Sequence, residues 1–246
     1  MDSQISVSII TATLNERGNV KQFVERVHKA MGRSKYEIIV VDDNSTDETI
    51  EQLESVAREY PYLTVKANPQ RVGLLKSNLM GIKESRGEYK IVMDADLQHP
   101  PEKIKDAVDM LSGGVDCVVM SRFVDGSRVE RREHYRSVAT SMAIALCHLL
   151  VPQTKDFRDP ISGFFAMGRN VEIPYERLFS CFGGHRGYKV LVPIIANNEG
   201  KKFTELPYSF NSRYWGESKI GRENLLIPRY ITELRQYRSM FKEPEF

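Results

Sequence analysis

Apolar residues follow two alternating patterns along the first half of the chain. Near-continuous runs rich in Val and Ile, such as 5–11 and 37–42, are typical of strands that are buried on both faces. Between these runs, apolar residues spaced three and four positions apart indicate amphipathic helices. The predicted strands are 5–11, 37–42, 63–66, 89–93 and 117–121, and the predicted helices are 20–31, 47–60, 74–85 and one that begins at Pro100. This alternation predicts the α/β class, with a doubly wound, mostly parallel sheet that binds ligands at the carboxyl ends of its strands.

The pattern changes after Arg122, where we place a boundary. A basic, polar stretch leads into an apolar segment at 138–151, and further predicted elements follow it. They are a strand entered by a turn after DPISG (159–163), a helix around 187–197, a strand at 203–210 and a basic C-terminal helix. We expect residues 1–122 to bind one ligand, residues 123–220 to complete the site, and residues 221–246 to form the basic amphipathic helix.

Composition and charge narrow the class of protein. Of the 246 residues, 41% are hydrophobic and 16 are Gly, which is ordinary for a globular protein. The 35 Lys and Arg nearly balance the 33 Asp and Glu, so we expect no nucleic-acid partner. The three cysteines lack metal-ligand spacing and the first residues lack a signal-peptide pattern, so we expect an intracellular protein with free thiols. The longest uncharged stretch, 137–154, is shorter than the roughly 20 apolar residues of a membrane-spanning helix.

An acidic segment, MDADLQHP, follows the predicted strand at 89–93. If its backbone remains extended, Asp94, Asp96 and Gln98 point the same way and converge outside the carboxyl edge of the sheet. Two carboxylates and an amide are hard oxygen ligands, which suit Mg²⁺ or Mn²⁺, whereas zinc favours His and Cys. The alternative is an acidic loop that merely caps the following helix. The position directly after a buried strand favours the metal site.

A second acidic segment, VVDDNSTDET, lies at the end of the second predicted strand. In doubly wound folds a carboxylate at this place can reach a ribose hydroxyl or a base edge, so Asp42 and Asp43 are candidate nucleotide contacts. The alternative is that residues 44–46 form only a turn and a helix cap. The chain contains neither GxGxxG after its first strand nor GxxxxGKS, which argues against dinucleotide oxidoreductases and P-loop NTPases.

These segments, together with others in the same order, resemble the GT-A family 2 glycosyltransferases, specifically the polyprenyl-phosphate (dolichyl-phosphate) mannosyl- and glucosyltransferases. The motifs are TLNERGN (13–19), VVDDNSTDET (40–49), RVGLLKSNLMGIKESRGEY (71–89), MDADLQHPPE (93–102), SRFVDGSRVE (121–130), DPISGFF (159–165) and RYWGESK (213–219). The resemblance covers about residues 5–220. It implies a Rossmann-like GT-A fold that uses Mg²⁺ or Mn²⁺. It also implies inverting transfer of mannose or glucose from a nucleotide sugar, GDP-mannose or UDP-glucose, to a polyprenyl or dolichyl phosphate.

The resemblance also implies roles for individual residues. Asp94, Asp96 and Gln98, with Ala95 between them, match the metal and diphosphate site. The positions that match nucleoside contacts are Ala12, Leu14, Glu16, Val41 and Asp43, although the family often has Pro and Tyr at the first two. Val124 and Lys189 match positions near the bound sugar nucleotide, Arg213 and Lys219 match the cationic clamp on its phosphates, and Arg122 and Arg136 match the arginines that receive the lipid phosphate. The implied catalytic residues are Asp96, Arg122, Arg136 and Arg213.

Three readings of the function follow. A polyprenyl phosphate is already an anion near neutral pH, so an acceptor site for it needs arginines more than a general base. A saccharide or other hydroxyl acceptor would normally need a carboxylate base, for which Asp159 is a candidate. The third reading is a non-catalytic nucleotide-sugar-binding regulatory subunit. The intact DADLQ and GESK motifs favour an enzyme, with residues 1–122 as its nucleotide-sugar half and residues 123–220 as its acceptor half.

Two segments suggest contact with a membrane surface. Segment 138–151 is either a core helix or an amphipathic element that lies on an anionic membrane. Residues 213–242 contain seven Lys or Arg and three Glu, a net charge of +4. We therefore expect a cytoplasmic protein that is peripheral at the cytoplasmic face of a membrane, held there by these surfaces or by a separate membrane subunit.

Overall fold

Strands and helices alternate through the first half of the chain, as the apolar pattern predicts. The computed structural model describes residues 6–129, 134–181, 192, 200–216 and 226–241. The first half contains β1 (Val7–Thr13), α1 (Arg17–Met31), β2 (Tyr36–Asp42), α2 (Thr49–Glu59), β3 (Leu63–Ala67), α3 (Leu74–Glu84), β4 (Tyr89–Val92), α4 (Ile104–Ser112) and β5 (Cys117–Ser121). The second half contains β6 (Arg128–Val129), α5 (His134–Leu150), β7 (Phe165–Met167), α6 (Tyr175–Cys181), β8 (Phe203–Pro207), β9 (Ser209–Phe210) and α7 (Leu226–Phe241). Most of the helix predicted around 187–197 lies outside the described residues.

Within the part of the chain that the structure describes, seven strands form one central sheet in the order β3-β2-β1-β4-β7-β5-β8. All neighbouring pairs are parallel except those of β7, which runs antiparallel to both β4 and β5. The predicted mostly parallel α/β sheet is confirmed. Because β7 and β8 belong to the second half of the chain, the sheet continues across the boundary that we placed at Arg122.

Both faces of the sheet are covered by helices, which explains the near-continuous apolar runs of the central strands. On β1, Ile9 packs into a core on one face with α1, α2 and α4, whereas Ile10 packs into a core on the other face with α3, α5 and α7. Successive side chains of a strand point to opposite faces, so β1 faces a packed core on both sides. The site is consequently confined to the edges of the sheet.

Helix α5 contains nearly all of the apolar segment 138–151, for which the sequence allowed either a core helix or an element on a membrane surface. One face packs against α7 and carries Cys147, which is fully buried. Another face is exposed and includes Val138, Met142 and Leu149, the last with 73% exposure. The segment is therefore a core helix that also presents an apolar surface. Within the described residues, no helix combines the length and apolar character needed to cross a bilayer.

Candidate active site

The predicted site residues gather where β1, β2, β4 and β5 end. Glu16, Asp43, Asp96 and Arg122 each follow one of these strands by a few residues. The carboxyl ends of parallel strands meet at one edge of a sheet, which is where ligands bind in open α/β folds. The fold thus brings four segments that are distant in sequence to one edge.

The DADLQ segment after β4 turns instead of remaining extended, so that part of the prediction is wrong. Asp96 Oδ1 accepts a hydrogen bond from the Gln98 N–H (3.0 Å), and Leu97 adopts a left-handed conformation with φ of 64°. Short carboxylate side chains favour such turns because they accept an N–H two residues further on. The Asp94 side chain remains 40% exposed and Gln98 is partly exposed, whereas Asp96 is buried. The two carboxylates therefore lie in different environments.

Asp96 occupies an environment that disfavours its charge. Burial, and to a smaller extent the nearby charge of Asp94, raises the pKa of Asp96 to about 6. The guanidinium of Arg213 is the largest influence in the opposite direction. Two close carboxylates, one of them desolvated, form a site of concentrated negative charge that a cation stabilises.

Arg213 connects two carboxylates that follow different strands. Its Nη2 lies 2.8 Å from Asp96 Oδ2, and its Nη1 donates hydrogen bonds to Glu16 Oε1 (3.0 Å) and Oε2 (3.2 Å). Burial alone would lower the pKa of Arg213, but Asp96 and Glu16 outweigh it and the pKa is raised. A permanently charged guanidinium is thereby fixed beside the predicted metal ligands, where it can also attract phosphate oxygens.

Segment 211–216, which carries Arg213, is hydrogen-bonded to the DADLQ turn. The Asn211 N–H donates to the Gln98 carbonyl (3.2 Å), and Gln98 Nε2 donates to the Asn211 carbonyl (3.2 Å). The Tyr214 N–H donates to the Asp96 carbonyl (3.2 Å). The two bonds between Gln98 and Asn211 join positions 113 residues apart. Their effect is to hold Arg213 close to Asp96.

His99 is a site residue to which the sequence analysis gave no role of its own. It is buried, and its ring stacks on Phe164 with 5.1 Å between centroids. The Asp94 N–H donates to His99 Nδ1 (3.0 Å), so a buried aromatic ring fixes the backbone of the first acidic residue. Its position directly after DADLQ was the available signal, but a histidine that anchors a backbone cannot be distinguished by sequence from one that binds a ligand.

Arg122 forms a buried, two-pronged ion pair with Asp159. Its Nε and Nη2 each lie 2.6 Å from one oxygen of Asp159, and its backbone N–H donates to the same carboxylate (3.1 Å). The side chains are 7% and 0% exposed. Glu205 on β8 in turn accepts the backbone N–H groups of Arg158 (2.8 Å) and Asp159 (2.9 Å). The predicted acceptor arginine is thus held rigidly, and the candidate base Asp159 is engaged with it.

Asp43 anchors the loop that leads into α3. Its carboxylate accepts hydrogen bonds from the N–H of Val72 (2.7 Å) and the N–H of Gly73 (2.9 Å). Asp42 binds the Ser45 N–H (2.8 Å), so residues 44–46 form the expected turn. The expected cap is wrong: α2 begins at Thr49 with Glu48 in the N-cap position, and the Ser45 hydroxyl donates to Asp42.

The other predicted site residues differ in burial, and three of their side chains lie outside the described residues. Val41 and Ala95 are buried, whereas Ala12, Leu14 and Val124 are partly exposed near the same edge. Their roles stay predictions. The Arg136 side chain, Lys189 and Lys219 lie outside the described residues.

The donor set of the site is compatible with a metal that takes part of its ligands from elsewhere. Among the side chains that the structure describes, no three from His, Cys, Asp and Glu are grouped to hold a metal ion. Asp94, Asp96 and Gln98 instead offer two carboxylates and one amide. This set fits Mg²⁺ or Mn²⁺, which commonly complete their coordination with water and substrate phosphates.

Comparison with known proteins finds relatives named dolichol-phosphate mannosyltransferases. A dolichol-phosphate mannosyltransferase from Pyrococcus furiosus is 36% identical over 234 residues, which cover 95% of this chain and 64% of that protein. A dolichol-phosphate mannosyltransferase from Saccharomyces cerevisiae is 28% identical over 244 residues, covering 94% of this chain and 86% of that protein. This chain therefore spans less than two thirds of the archaeal relative's length and most of the yeast relative's.

The fold is also shared with solved structures. Glucosyl-3-phosphoglycerate synthase from Mycobacterium tuberculosis has a TM-score of 0.67 at 18% identity, covering 98% of this chain and 82% of that one. The same enzyme in complex with Mn²⁺, UDP-glucose and glycerol 3-phosphate has a TM-score of 0.65 at 16% identity, covering 96% and 80%. The profile described as Glycosyl transferase family 2 matches residues 8–177, which is more than half of the chain. The resemblance that the motifs indicate is thereby confirmed, and the chain belongs to glycosyl transferase family 2.

Proposed function

We propose that this chain transfers a hexose, mannose or glucose, from a nucleotide sugar to a polyprenyl phosphate, with inversion at the anomeric carbon. The observation that carries the proposal is the cluster of Asp94, Asp96 and Arg213 at the carboxyl edge of the sheet. It combines carboxylates suited to a divalent cation with a fixed guanidinium suited to phosphate. The names of the archaeal and yeast relatives support the same reaction class.

Asp94, Asp96 and Gln98 would hold Mg²⁺ or Mn²⁺ at this edge. Bound there, the divalent cation supplies stabilisation of the negative charge that accumulates on the departing diphosphate. Asp96 fits such a role because burial, and to a smaller extent the charge of Asp94, raises its pKa to about 6, so that a bound cation would offset a charge that the site disfavours. A known mycobacterial enzyme of the same fold, crystallised with Mn²⁺ and UDP-glucose, is consistent with this choice of ion.

Arg213 is the residue that we assign to the donor phosphates, together with Lys219. Its hydrogen bonds to Glu16 hold the guanidinium beside the cation site before the donor arrives. A charge that is already oriented needs little rearrangement when the diphosphate develops its charge. Glu16 thus orients Arg213, and it remains our candidate for a nucleoside contact.

Arg122 and Arg136 are the residues that we assign to the acceptor phosphate. Their role is to bind and aim an oxygen that is already anionic, so no side chain has to remove a proton. The contacts of Asp159 favour this reading over a hydroxyl acceptor. Both of its carboxylate oxygens bind Arg122, which leaves it poorly placed to act as a general base.

We also propose that the protein is peripheral at the cytoplasmic face of a membrane. The exposed apolar residues of α5, among them Met142 and Leu149, provide a surface that can enter the interfacial region. The net charge of +4 over 213–242 favours an anionic surface. A separate membrane subunit is the alternative tether.

The decisive experiment is a transfer assay with radiolabelled GDP-mannose and UDP-glucose, each with and without polyprenyl phosphate. We expect lipid-linked product from one donor only when the lipid phosphate is present. Arg136→Ala should raise the apparent KM for the lipid phosphate and leave donor binding nearly intact, whereas Lys219→Ala should do the opposite. Labelled product that forms equally well without the lipid phosphate would contradict the proposed acceptor.

A further inference from the structure

Two motifs at opposite ends of the chain meet at the donor side of the site. Gly18 lies in the first turn of α1, and Trp215 lies in the segment 211–216 that carries Arg213. The indole of Trp215 packs directly on the backbone of Gly18. A Cβ atom at position 18 would lie 2.4 Å from indole Cδ2 and 2.5 Å from Cγ, inside the van der Waals limit. Only a residue without a side chain permits this contact.

The backbone around Trp215 is held from both sides. Asn19, the next residue of α1, donates from Nδ2 to the Trp215 carbonyl (3.1 Å) and also donates to Glu16. On the other side, the Tyr214 N–H donates to the Asp96 carbonyl (3.2 Å). Trp215 is 48% exposed, so its packing on α1 is not explained by a place in the hydrophobic core.

The consequence for the site concerns Arg213, two residues before Trp215. A guanidinium on a long side chain reaches Glu16 and Asp96 only if its backbone is fixed close to both. The hydrogen bonds to the DADLQ turn fix one side of that backbone, and the indole on Gly18 fixes the other. We infer that Gly18 and Trp215 form a latch that positions Arg213 for the donor phosphates, an inference that rests on the proposed function.

Gly18→Ala tests the latch because its expected effect opposes the intrinsic preference of the helix. Alanine is the better helix former, so the substitution should stabilise α1 wherever space allows. Here the added methyl group collides with the indole and should displace segment 211–216. We expect the Kd for the nucleotide sugar, measured by calorimetry with UDP-glucose and GDP-mannose in the presence of Mg²⁺, to rise about ten- to a hundredfold, as when a charge-assisted contact is lost.

Further variants distinguish a latch from a general structural effect. Trp215→Ala should raise the donor Kd as Gly18→Ala does, and Trp215→Phe, which keeps a flat ring, should restore most of the affinity. The double variant Gly18→Ala/Trp215→Ala should match Trp215→Ala alone, because the collision no longer exists. The KM for polyprenyl phosphate should remain unchanged in all of them. Gly168→Ala is the matched control, since a Cβ there meets only an ordinary contact of 3.6 Å with the Asp116 carbonyl.

Trp215 is the only tryptophan of the chain, so intrinsic fluorescence reports on the latch directly. Gly18→Ala should increase quenching by acrylamide in the free protein, and Gly168→Ala should leave it as in the wild type. Wild-type donor affinity in Gly18→Ala, or additive effects in the double variant, would overturn the latch while leaving the proposed function intact. A wild-type protein that binds neither nucleotide sugar would instead overturn the proposed function, and with it the positioning role.

Discussion

Removing the carboxylate of Asp159 should destabilise the protein far more than removing a carboxylate from a comparable surface pair. In Asp159→Ala the guanidinium of Arg122 remains buried and loses two hydrogen bonds of 2.6 Å. Breaking a buried ion pair from one side costs about 3–5 kcal/mol, because the remaining charge is left uncompensated. For a chain of this size such a loss corresponds to a melting temperature lower by roughly 6–20 °C.

The chain offers a matched control in Arg26 and Glu102. Arg26 also donates from Nε and Nη2 to one carboxylate, at 2.8–3.2 Å, but the side chains are 30% and 57% exposed. Exposed pairs contribute about 0–1 kcal/mol, so Glu102→Ala should have little effect on stability. In both pairs one carboxylate binds Nε and Nη2 of an arginine, so burial of the pair is the main difference between the two variants.

Urea unfolding of the full chain measures the difference. We expect a lower midpoint and an unchanged slope for Asp159→Ala, and a midpoint close to wild type for Glu102→Ala. Adding Arg122→Met to Asp159→Ala removes the buried charge as well, and should recover part of the stability without restoring use of the lipid phosphate. Equal losses in Asp159→Ala and Glu102→Ala would refute the reasoning that burial makes this pair critical.

Three further predictions address the metal, the loop and the membrane. Asp96→Asn should abolish transfer and weaken cation-dependent binding of the nucleotide sugar, since a charged ligand is lost; full turnover in excess EDTA would contradict the assignment. Asp43→Ala should lower the free energy of unfolding by about 1–3 kcal/mol for each N–H left without an acceptor, those of Val72 and Gly73, and an unchanged urea midpoint would contradict the anchoring role. Purified protein should float with anionic vesicles at low salt and largely detach at 1 M, where the Debye length falls from about 8 Å at physiological salt to about 3 Å. Flotation that resists salt but is lost in Leu149→Ser would show that apolar insertion dominates.

The sequence predicts the parts of the fold that depend on local pattern. The strands of the first half follow from apolar runs, and α5 follows from the apolar segment at 138–151. The insertion of β7 between β4 and β5 does not follow, because three residues carry too little pattern to specify their neighbours. Which strands pair depends on tertiary packing, and local sequence does not determine it.

The candidate site is predictable in its residues but not in their partners. The DADLQ carboxylates lie at the carboxyl edge as expected, because strand topology decides that position. The turn at Leu97 rests on a local hydrogen bond from the Gln98 N–H to Asp96, whereas Asp43 and Arg122 bind residues far along the chain. No local spacing indicates that Asp159 pairs with Arg122, since only the fold brings residues 37 positions apart together.

The antiparallel strand β7 has a consequence for how this chain can acquire its structure during synthesis. Until residues 165–167 emerge, β4 and β5 cannot both pair on their facing edges, and the middle of the sheet remains open. Strand edges that lack a hydrogen-bonding partner and carry apolar side chains promote association between chains. The central core therefore closes late, when the second half of the chain returns to fill the gap, and a polypeptide that stops near Arg122 lacks the strand that would complete it. The two halves of the chain therefore fold together, although we propose that they bind different substrates.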